Sequence, residues 1–218
     1  MRRIAVDTSA ALMLAMSLGA GGALLSGCAI FSKAEQMSPR YFSPATDLVR
    51  GGAKPGESSG LELRLGQIDS AAHLEERIAY RLSDTELGYY QDRRWTEPPE
   101  QYLRRALGHE LFERRGLARV VAGAAPTLDV ELVSFEQLRH GSPRARVALR
   151  FSLRDERRSL LERAIVVEEA LGSGVAKEEA EQLAQALSSA LTRAVTELAD
   201  LTVQQLELPQ GSLEPRGN

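Results

Sequence analysis

The sequence predicts an α+β fold, a single domain in which a mostly antiparallel sheet packs against two helices, the C-terminal one long. Apolar and polar residues alternate in several short segments, the pattern of strands with one buried face. Two other segments repeat apolar residues every three or four positions, as amphipathic helices do. About 150 residues lie between the two terminal segments, a length that suits one domain.

The first part of the domain contains several short predicted strands. Leu61, Leu63 and Leu65 alternate with Glu62 and Arg64, so we expect this strand to have one buried face. Further extended stretches are expected at 77–82, 86–91 and 117–121, with Tyr41 and Phe42 as candidates for an edge strand.

The clearest strand pair is 127–138 with 143–154, joined by the four residues 139–142. If this loop places Leu138 opposite Pro143, the register sets three apolar pairs opposite one another: Leu128 with Leu153, Val130 with Phe151, and Leu132 with Leu149. Glu131 then faces Arg150, and Asp129 lies beside Arg154. A further strand, 160–169, carries apolar residues on both faces, so the sequence does not decide which face is buried.

Two helices are predicted. Pro98-Pro99 begins the first, since proline suits the first helical turn, and Gly116 ends it. Its apolar face comprises Tyr102, Leu103, Ala106, Leu107, Leu111 and Phe112. The second helix, 176–206, has an apolar stripe suited to packing across a sheet: Leu183, Leu187, Leu191, Ala194, Leu198 and Leu201. At ~1.5 Å per residue it would be ~45 Å long, enough to overhang the sheet and make subunit contacts there.

The N-terminus has the layout of a secretory signal peptide. Two arginines, Arg2 and Arg3, precede an apolar run at 10–18 and a stretch of small residues at 19–25. The apolar run is shorter than the ~20 residues that cross a bilayer. It ends in Leu25-Ser26-Gly27-Cys28, which resembles the lipobox of lipoprotein signal peptidase. We therefore predict a signal peptide at 1–27 and lipidation of Cys28, which would anchor the chain permanently to a membrane.

The residues around the domain are predicted to be irregular. Ser38-Pro39, Gly51-Gly52 and Pro55-Gly56 interrupt any periodicity, so 28–58 is interpreted as the lipidated cysteine and a flexible tether. The domain is expected at 59–208, followed by a disordered tail at 209–218.

Composition narrows the possible partners. Signal-peptide cleavage removes Arg2, Arg3 and Asp7 and lowers the formal net charge from −3 to −4, so nothing points to nucleic acid. Cys28 is the only cysteine, and lipidation would leave no thiol for a disulfide. The fold must then depend on its apolar core.

Residue patterns for catalysis are weak. The segment Gly56-Glu57-Ser58-Ser59-Gly60 fits the G-x-S-x-G motif of serine hydrolases. That motif requires a strand-to-helix elbow, whereas this segment leads into a predicted strand. His73, His109 and His140 are scattered singly, without the spacing of a metal site. We predict no catalytic residues, metal or cofactor, and a non-enzymatic protein. A periplasmic hydrolase that uses Ser58 remains an alternative.

One strand face is strongly cationic. Arg144, Arg146, Arg150 and Arg154 lie on the same face of the 143–154 strand. A site for lipid phosphates or another anion is one interpretation. A solvated face with cross-strand ion pairs is favoured, because two of the arginines have acidic neighbours in the expected register.

A set of motifs resembles a known family. Arg77-Ile78-Ala79-Tyr80-Arg81, Leu87-Gly88-Tyr89-Tyr90 and Trp95-Thr96-Glu97-Pro98-Pro99, followed by a helix, are similar to the ABC-type transport auxiliary lipoprotein family. The resemblance extends from the lipobox through the last helix. The residues carried over from the motif as tentative partner-binding positions are Tyr80, Arg81, Tyr89, Tyr90 and Trp95. Buried packing is the favoured alternative for these aromatic residues.

The resemblance implies a function in lipid transport across a Gram-negative envelope. The expected partners are a periplasmic MCE-domain protein with its ABC permease and ATPase, and possible further ones are phospholipid and a homo-oligomeric ring. In that picture the lipoprotein sits at the outer membrane, faces the periplasm and docks the MCE conduit; Ala29 after the cysteine agrees with outer-membrane sorting. A structural or assembly lipoprotein of the outer membrane, unrelated to lipid transport, is the alternative.

Overall fold

The structure, a computed structural model, describes residues 38–44, 58–172 and 176–208, with side chains in the last range from Glu179 onward. The strands are β1 (Arg40–Phe42), β2 (Glu62–Ser70), β3 (Arg77–Arg81), β4 (Leu87–Trp95), β5 (Ala118–Arg119), β6 (Thr127–Leu138), β7 (Arg144–Arg154) and β8 (Ser159–Ala170). The helices are α1 (Pro99–Gly108), which continues into a π-helical segment (His109–Arg114), and α2 (Ala176–Glu207).

Strand β6 is the centre of the sheet. Its whole length pairs antiparallel with β7, which pairs antiparallel with β8. The other edge of β6 is shared, because β2 pairs parallel with its first half and β3 parallel with its end. Strand β4 is antiparallel to β3, while the short β1 and β5 add in parallel to β4 and β2. The longest pairings are antiparallel, as the predicted α+β fold requires.

The β6–β7 hairpin confirms the predicted apolar pairs but corrects the predicted pairing next to the loop. Leu128, Val130 and Leu132 oppose Leu153, Phe151 and Leu149, and Glu131 opposes Arg150. However, Leu138 pairs with Arg144, not with Pro143. The register shifts between Leu132 and Ser134. An extra residue in β6, a bulge, offsets the one-residue error at the loop.

Helix α2 covers one face of the sheet and confirms the predicted stripe. Leu183, Leu187, Leu191, Ala194 and Leu198 are all buried. Ile165 and Val167 of β8 belong to the same core, whereas Val166 between them is 59% exposed. The structure thus identifies the buried face of β8, which alternation alone could not.

The first helix differs from the predicted one in its second half. Tyr102, Leu103, Ala106 and Leu107 are buried as predicted, but the α-helix ends at Gly108 and a π-helical turn follows. A π-helix bonds residue i to i+5, so each residue turns by less than the ~100° of an α-helix. Phe112, which the sequence placed on the apolar face, lies in this π-helical turn and is partly buried against the core.

The end of α2 is more enclosed than a free overhang. Leu201, Val203 and Leu206 are half-buried against the core, and Thr202 is fully buried. The Arg115 guanidinium pairs with Asp200 on this part of the helix. Subunit contacts through an overhang would therefore be limited to the last residues.

Several sequence predictions concern residues that the structure does not describe. The signal peptide, Cys28, most of the 28–58 tether and the 209–218 tail lie outside the described residues. Within the described ranges, no helix has the length and apolarity to cross a membrane.

Candidate partner-binding site

Tyr80 and Tyr90, two of the motif residues, meet beside the first turns of α2. Their rings pack edge to face with centroids 5.2 Å apart. The Arg139 guanidinium lies over both rings, 4.7 Å from the Tyr80 centroid and 5.1 Å from the Tyr90 centroid. We call these three residues, together with Gln137 and Glu179, the tyrosine cluster.

Polar groups of the tyrosine cluster connect the sheet to α2. The Tyr90 hydroxyl donates to the side-chain oxygen of Gln137, and the Gln137 amide donates to Glu179 Oε1 at 3.2 Å. Arg139 pairs with the same Glu179 oxygen at 3.5 Å. Because Gln137 is 1% exposed, its hydrogen bonds are made in a poorly solvated position, where losing them is costly. The cluster therefore fixes the N-terminal end of α2 on β6.

Burial and charge shift two pKa values in this cluster in opposite directions. Burial raises the pKa of the Tyr90 hydroxyl, outweighing the opposing effect of the Arg139 guanidinium. Burial by itself would also raise the pKa of Glu179. The hydrogen bond from Gln137 and the nearby Arg139 and Arg93 guanidiniums outweigh it, so the pKa of Glu179 is lowered. At neutral pH the cluster thus holds a neutral tyrosine and an ionised glutamate.

Arg81 neutralises a buried carboxylate. Its Nε lies 2.9 Å from Glu136 Oε1 and its Nη2 lies 3.2 Å from Oε2, a two-pronged pairing across β3 and β6. Glu136 is 1% exposed and also accepts a hydrogen bond from the Ser134 hydroxyl at 2.9 Å. Arg81 is therefore held mainly by a buried partner inside the domain.

The remaining motif residues lie in separate surroundings. Trp95 is 1% exposed and packs edge to face on Phe135, with centroids 5.3 Å apart. Tyr89 is half-buried and donates its hydroxyl to the His73 carbonyl at 3.0 Å. Gly88 pairs with Tyr80 across β3 and β4 and leaves room for its ring, because a Cβ at Gly88 would lie 2.5 Å from that ring. The motif thus sets up packing around β4, with Tyr80 and Tyr89 as its half-exposed members.

The cationic face of β7 is ion-paired along its whole length. Arg144 and Arg146 pair with Glu168 at 2.9 and 3.0 Å. Arg150 pairs with Glu131 at 2.8 Å, and Arg154 with Asp129 at 2.9 Å. All four arginines have a carboxylate partner, which favours the solvated face over an anion site.

The weak catalytic candidates are not brought together in a recognisable arrangement. Ser58 is exposed, and the chain passes from it into β2. The hydroxyl of Ser59 donates to the Gly116 carbonyl at 3.2 Å. Among the described residues, no group of three or more His, Asp or Glu side chains could hold a metal ion. Gly56 and Glu57 of the hydrolase-like string lie outside the described residues.

Sequence reasoning missed several residues of the site. Gln137, Arg139 and Glu179 come from the end of β6, the loop after it and α2, and no local pattern connects these segments. Glu110, which is 1% exposed, was also missed; it pairs with Arg114 and Arg115 at 3.1 Å each. Its position four residues after Ala106 and three after Leu107, on the predicted apolar face of the helix, was the one available indication.

Comparison with known proteins defines the family. The chain belongs to the ABC-type transport auxiliary lipoprotein family, whose model matches residues 48–199. This match confirms the resemblance drawn from the motifs. None of the curated proteins matches the chain.

Solved structures share the fold. A Xanthomonas campestris protein of the family DUF330 is 21% identical, with a TM-score of 0.62 over 76% of this chain and 95% of that chain. An uncharacterized protein is 15% identical, with a TM-score of 0.59 over 76% of this chain and 99% of that chain. At these identities the likeness concerns the fold alone.

Proposed function

We propose that this chain is the non-enzymatic outer-membrane component of an ABC/MCE-type lipid-transport system, anchored through Cys28, with its domain in the periplasm. In this proposal it docks the periplasmic MCE conduit at the outer membrane. The observation that carries the proposal is membership of a family of auxiliary lipoproteins of ABC-type transport over residues 48–199. The docking, the MCE partner and the outer membrane go beyond the family description.

The open edge of β8 supports a docking function. Strand β8 has twelve residues and pairs only with β7 among the described strands. A long unpaired edge offers backbone donors and acceptors to an incoming extended segment. Val166, at the middle of this strand, is one of the most exposed large apolar residues that the structure describes. We place the docking of an extended segment of the MCE-domain protein here.

The five family-motif residues are also proposed to contribute to partner binding. Tyr90 and Trp95 are buried, so they would act on a partner only through the position of β4 and α2. Tyr80 and Tyr89 are half-exposed and could touch a partner directly, while Arg81 holds β3 against β6. Partner contact at these five positions remains a proposal.

Photocrosslinking in the native envelope tests the docking. A photoreactive amino acid is placed at Val166, at Tyr89 or at the control position Val121, which is 86% exposed in the loop after β5. We expect Val166 to crosslink to the MCE-domain protein and Val121 to give no such product. Crosslinks at Tyr89 would add the motif surface to the interface.

Affinity purification of the lipidated chain in mild detergent separates the alternatives. Recovery of the MCE-domain protein with the permease and ATPase supports the transport function. Recovery of the lipoprotein alone, after crosslinking as well, would reject it in favour of a structural lipoprotein. An esterase activity that disappears in Ser58→Ala would instead support the hydrolase.

A further inference from the structure

A groove with a volume of about 650 Å³ lies beside α1, the π-helical segment and β5. Its walls include Arg104, Arg105, His109, Phe112, Glu113 and Arg119. This groove is separate from the tyrosine cluster and from the edge of β8, since it shares no residue with either. The docking proposal therefore does not account for the charge or the shape of this groove.

Two of its three arginines lack a carboxylate partner. Arg105 is neutralised by Glu97, with N–O distances of 2.6 and 2.7 Å, and this pairing lowers the pKa of Glu97. Arg104 donates to the Ile68 carbonyl at 3.2 Å, and no carboxylate of the described residues lies within 4.0 Å of it or of Arg119. The groove therefore carries two guanidiniums without an ion-pair partner, unlike the β7 face with its four ion pairs, and the carboxylate that lines the groove, Glu113, lies 3.7 Å from His109 Nε2.

The aromatic wall of the groove is fixed by the π-helical segment. The Arg119 guanidinium lies over the Phe112 ring, 4.4 Å from its centroid, so one side of the groove is apolar and cationic at once. Phe112 lies in the π-helical segment and is partly buried against the core. Single π turns occur frequently at functional sites, because they aim side chains that a regular helix would not.

His109 adds an unsatisfied polar atom to the same wall. Its Nδ1 is buried and has no hydrogen-bond partner in the described part of the chain, while its Nε2 lies 3.7 Å from the Glu113 carboxylate. Buried polar atoms are nearly always hydrogen-bonded, so this nitrogen is an exception that the described contacts do not explain.

We propose that this groove binds a phosphate-bearing anion, with the phosphate between Arg104 and Arg119 and an adjoining apolar part of the ligand against Phe112. The forked guanidinium matches phosphate oxygens in geometry and charge. A phospholipid headgroup and a small free phosphate share this chemistry. The aromatic wall favours the headgroup, because a free phosphate ion has no apolar part to bury. The proposal does not depend on where the chain docks.

Calorimetric titration of the full-length lipoprotein in a sugar-based, phosphate-free detergent tests the proposal. The probes are inorganic phosphate, glycerophosphoglycerol and dihexanoylphosphatidylglycerol. The variants are R104Q/R119Q and R119E, the second of which removes no hydrogen bond of the described structure. The matched control is R163Q, an exposed arginine of β8 without a carboxylate within 4.0 Å among the described residues.

We expect at least a tenfold rise in Kd for the phosphate-bearing probes in both groove variants, and less than twofold in R163Q. Tighter binding of the lipid than of the chain-free headgroup would identify a phospholipid. Equal binding of inorganic phosphate and the two larger probes would identify a small phosphate. Absence of binding by any probe, or equal losses in the groove variants and in R163Q, would overturn the proposal.

Discussion

Arg81 shows how a motif residue can be required by the fold alone. Its guanidinium is the partner of the buried Glu136 carboxylate, and both oxygens of that carboxylate accept from it. Removing one member of a buried ion pair leaves an uncompensated charge, which commonly costs ~3–5 kcal/mol. The residue is therefore needed even if no partner ever touches it.

For Arg81→Leu we predict a loss of ~3 kcal/mol in the free energy of unfolding, since the side chain is partly exposed. Urea denaturation followed by circular dichroism measures this loss. The double variant R81L/E136L should recover much of the loss, because it removes the stranded charge. A double variant as unstable as the single one would show that the pair contributes through packing.

A substitution at Trp95 distinguishes most clearly between buried packing and partner contact. It is 1% exposed and lies among Tyr102 and Phe135, with centroid distances of 6.3 and 5.3 Å. Trp95→Ala should cost ~3–5 kcal/mol of stability through the cavity it leaves. The control Tyr41→Ala, at a residue that is 61% exposed, should change stability by less than ~0.5 kcal/mol. Unchanged melting of the Trp95 variant with lost complex formation would instead indicate an interface.

Glu179 makes stability depend on pH. Its pKa is lower in the folded chain than in the unfolded one, so the folded state gains stability above the unfolded pKa of ~4.3 and loses it as the pH falls through the folded pKa. Wild-type stability should therefore fall between about pH 5 and pH 3. Melting temperatures across this range should fall less steeply in Glu179→Gln. The control Glu181→Gln, whose carboxylate lies 3.7 Å from Arg40, keeps the cluster intact. If the melting temperatures of wild type and Glu179→Gln fell in parallel with pH, Glu179 would not be the source of this pH dependence.

At the scale of elements, β8 combines a buried face with an uncovered edge. Val166 points away from the core while its neighbours Ile165 and Val167 are buried. Val166→Lys should lower capture of the MCE-domain protein at least fivefold, because a charge at the middle of an edge strand opposes strand addition. Val121→Lys, at an exposed loop valine, should leave capture unchanged, and both variants should melt like the wild type. Equal capture by the two variants would place docking elsewhere.

The elements also show which parts of the structure the sequence could predict. Alternation gave the β6–β7 pairs and helical spacing gave the α2 stripe, because both depend on local periodicity. The parallel pairings of β2 and β3 with β6 are non-local and leave no such pattern. The bulge after Leu132 and the π turn at His109 each add one residue to a regular repeat, and many sequences tolerate that without a marker.

The site was predictable only in part for the same reason. The motif pointed to Tyr80 and Tyr90, and these two do meet in the structure. Their partners Gln137, Arg139 and Glu179 reach them from distant segments, so only the tertiary fold reveals the cluster. Arg119 follows the same rule, because its stacking on Phe112 depends on the position of β5.

At the scale of the whole molecule, the proposed anchor depends on Cys28. Cys28→Ala removes the only thiol in the chain, so labelled palmitate should no longer be incorporated and the signal peptide should stay uncleaved. Metabolic labelling and the electrophoretic size of the chain measure the two effects. Cys28→Ala that is still cut and released from membranes would indicate an ordinary secreted protein. Membrane fractionation of the wild type would then separate outer from inner membrane.

Strand β1 is a short attachment that would be the first part of the described sheet to give way under tension. It is held to β4 by a register of only three residues, Arg40 to Phe42, and it is the described strand nearest to the proposed anchor. Tension between an anchored N-terminus and a docked domain would load this short ladder before it reached the long β6–β7 pairing. If β1 were pulled away, the pairings among β2, β3, β6, β7 and β8 would remain, because β1 pairs only with β4 among the described strands. The lipoprotein would then yield under strain by giving up the Phe42 contact with the core and the Arg40–Glu181 ion pair, while the proposed docking edge on β8 stays in place.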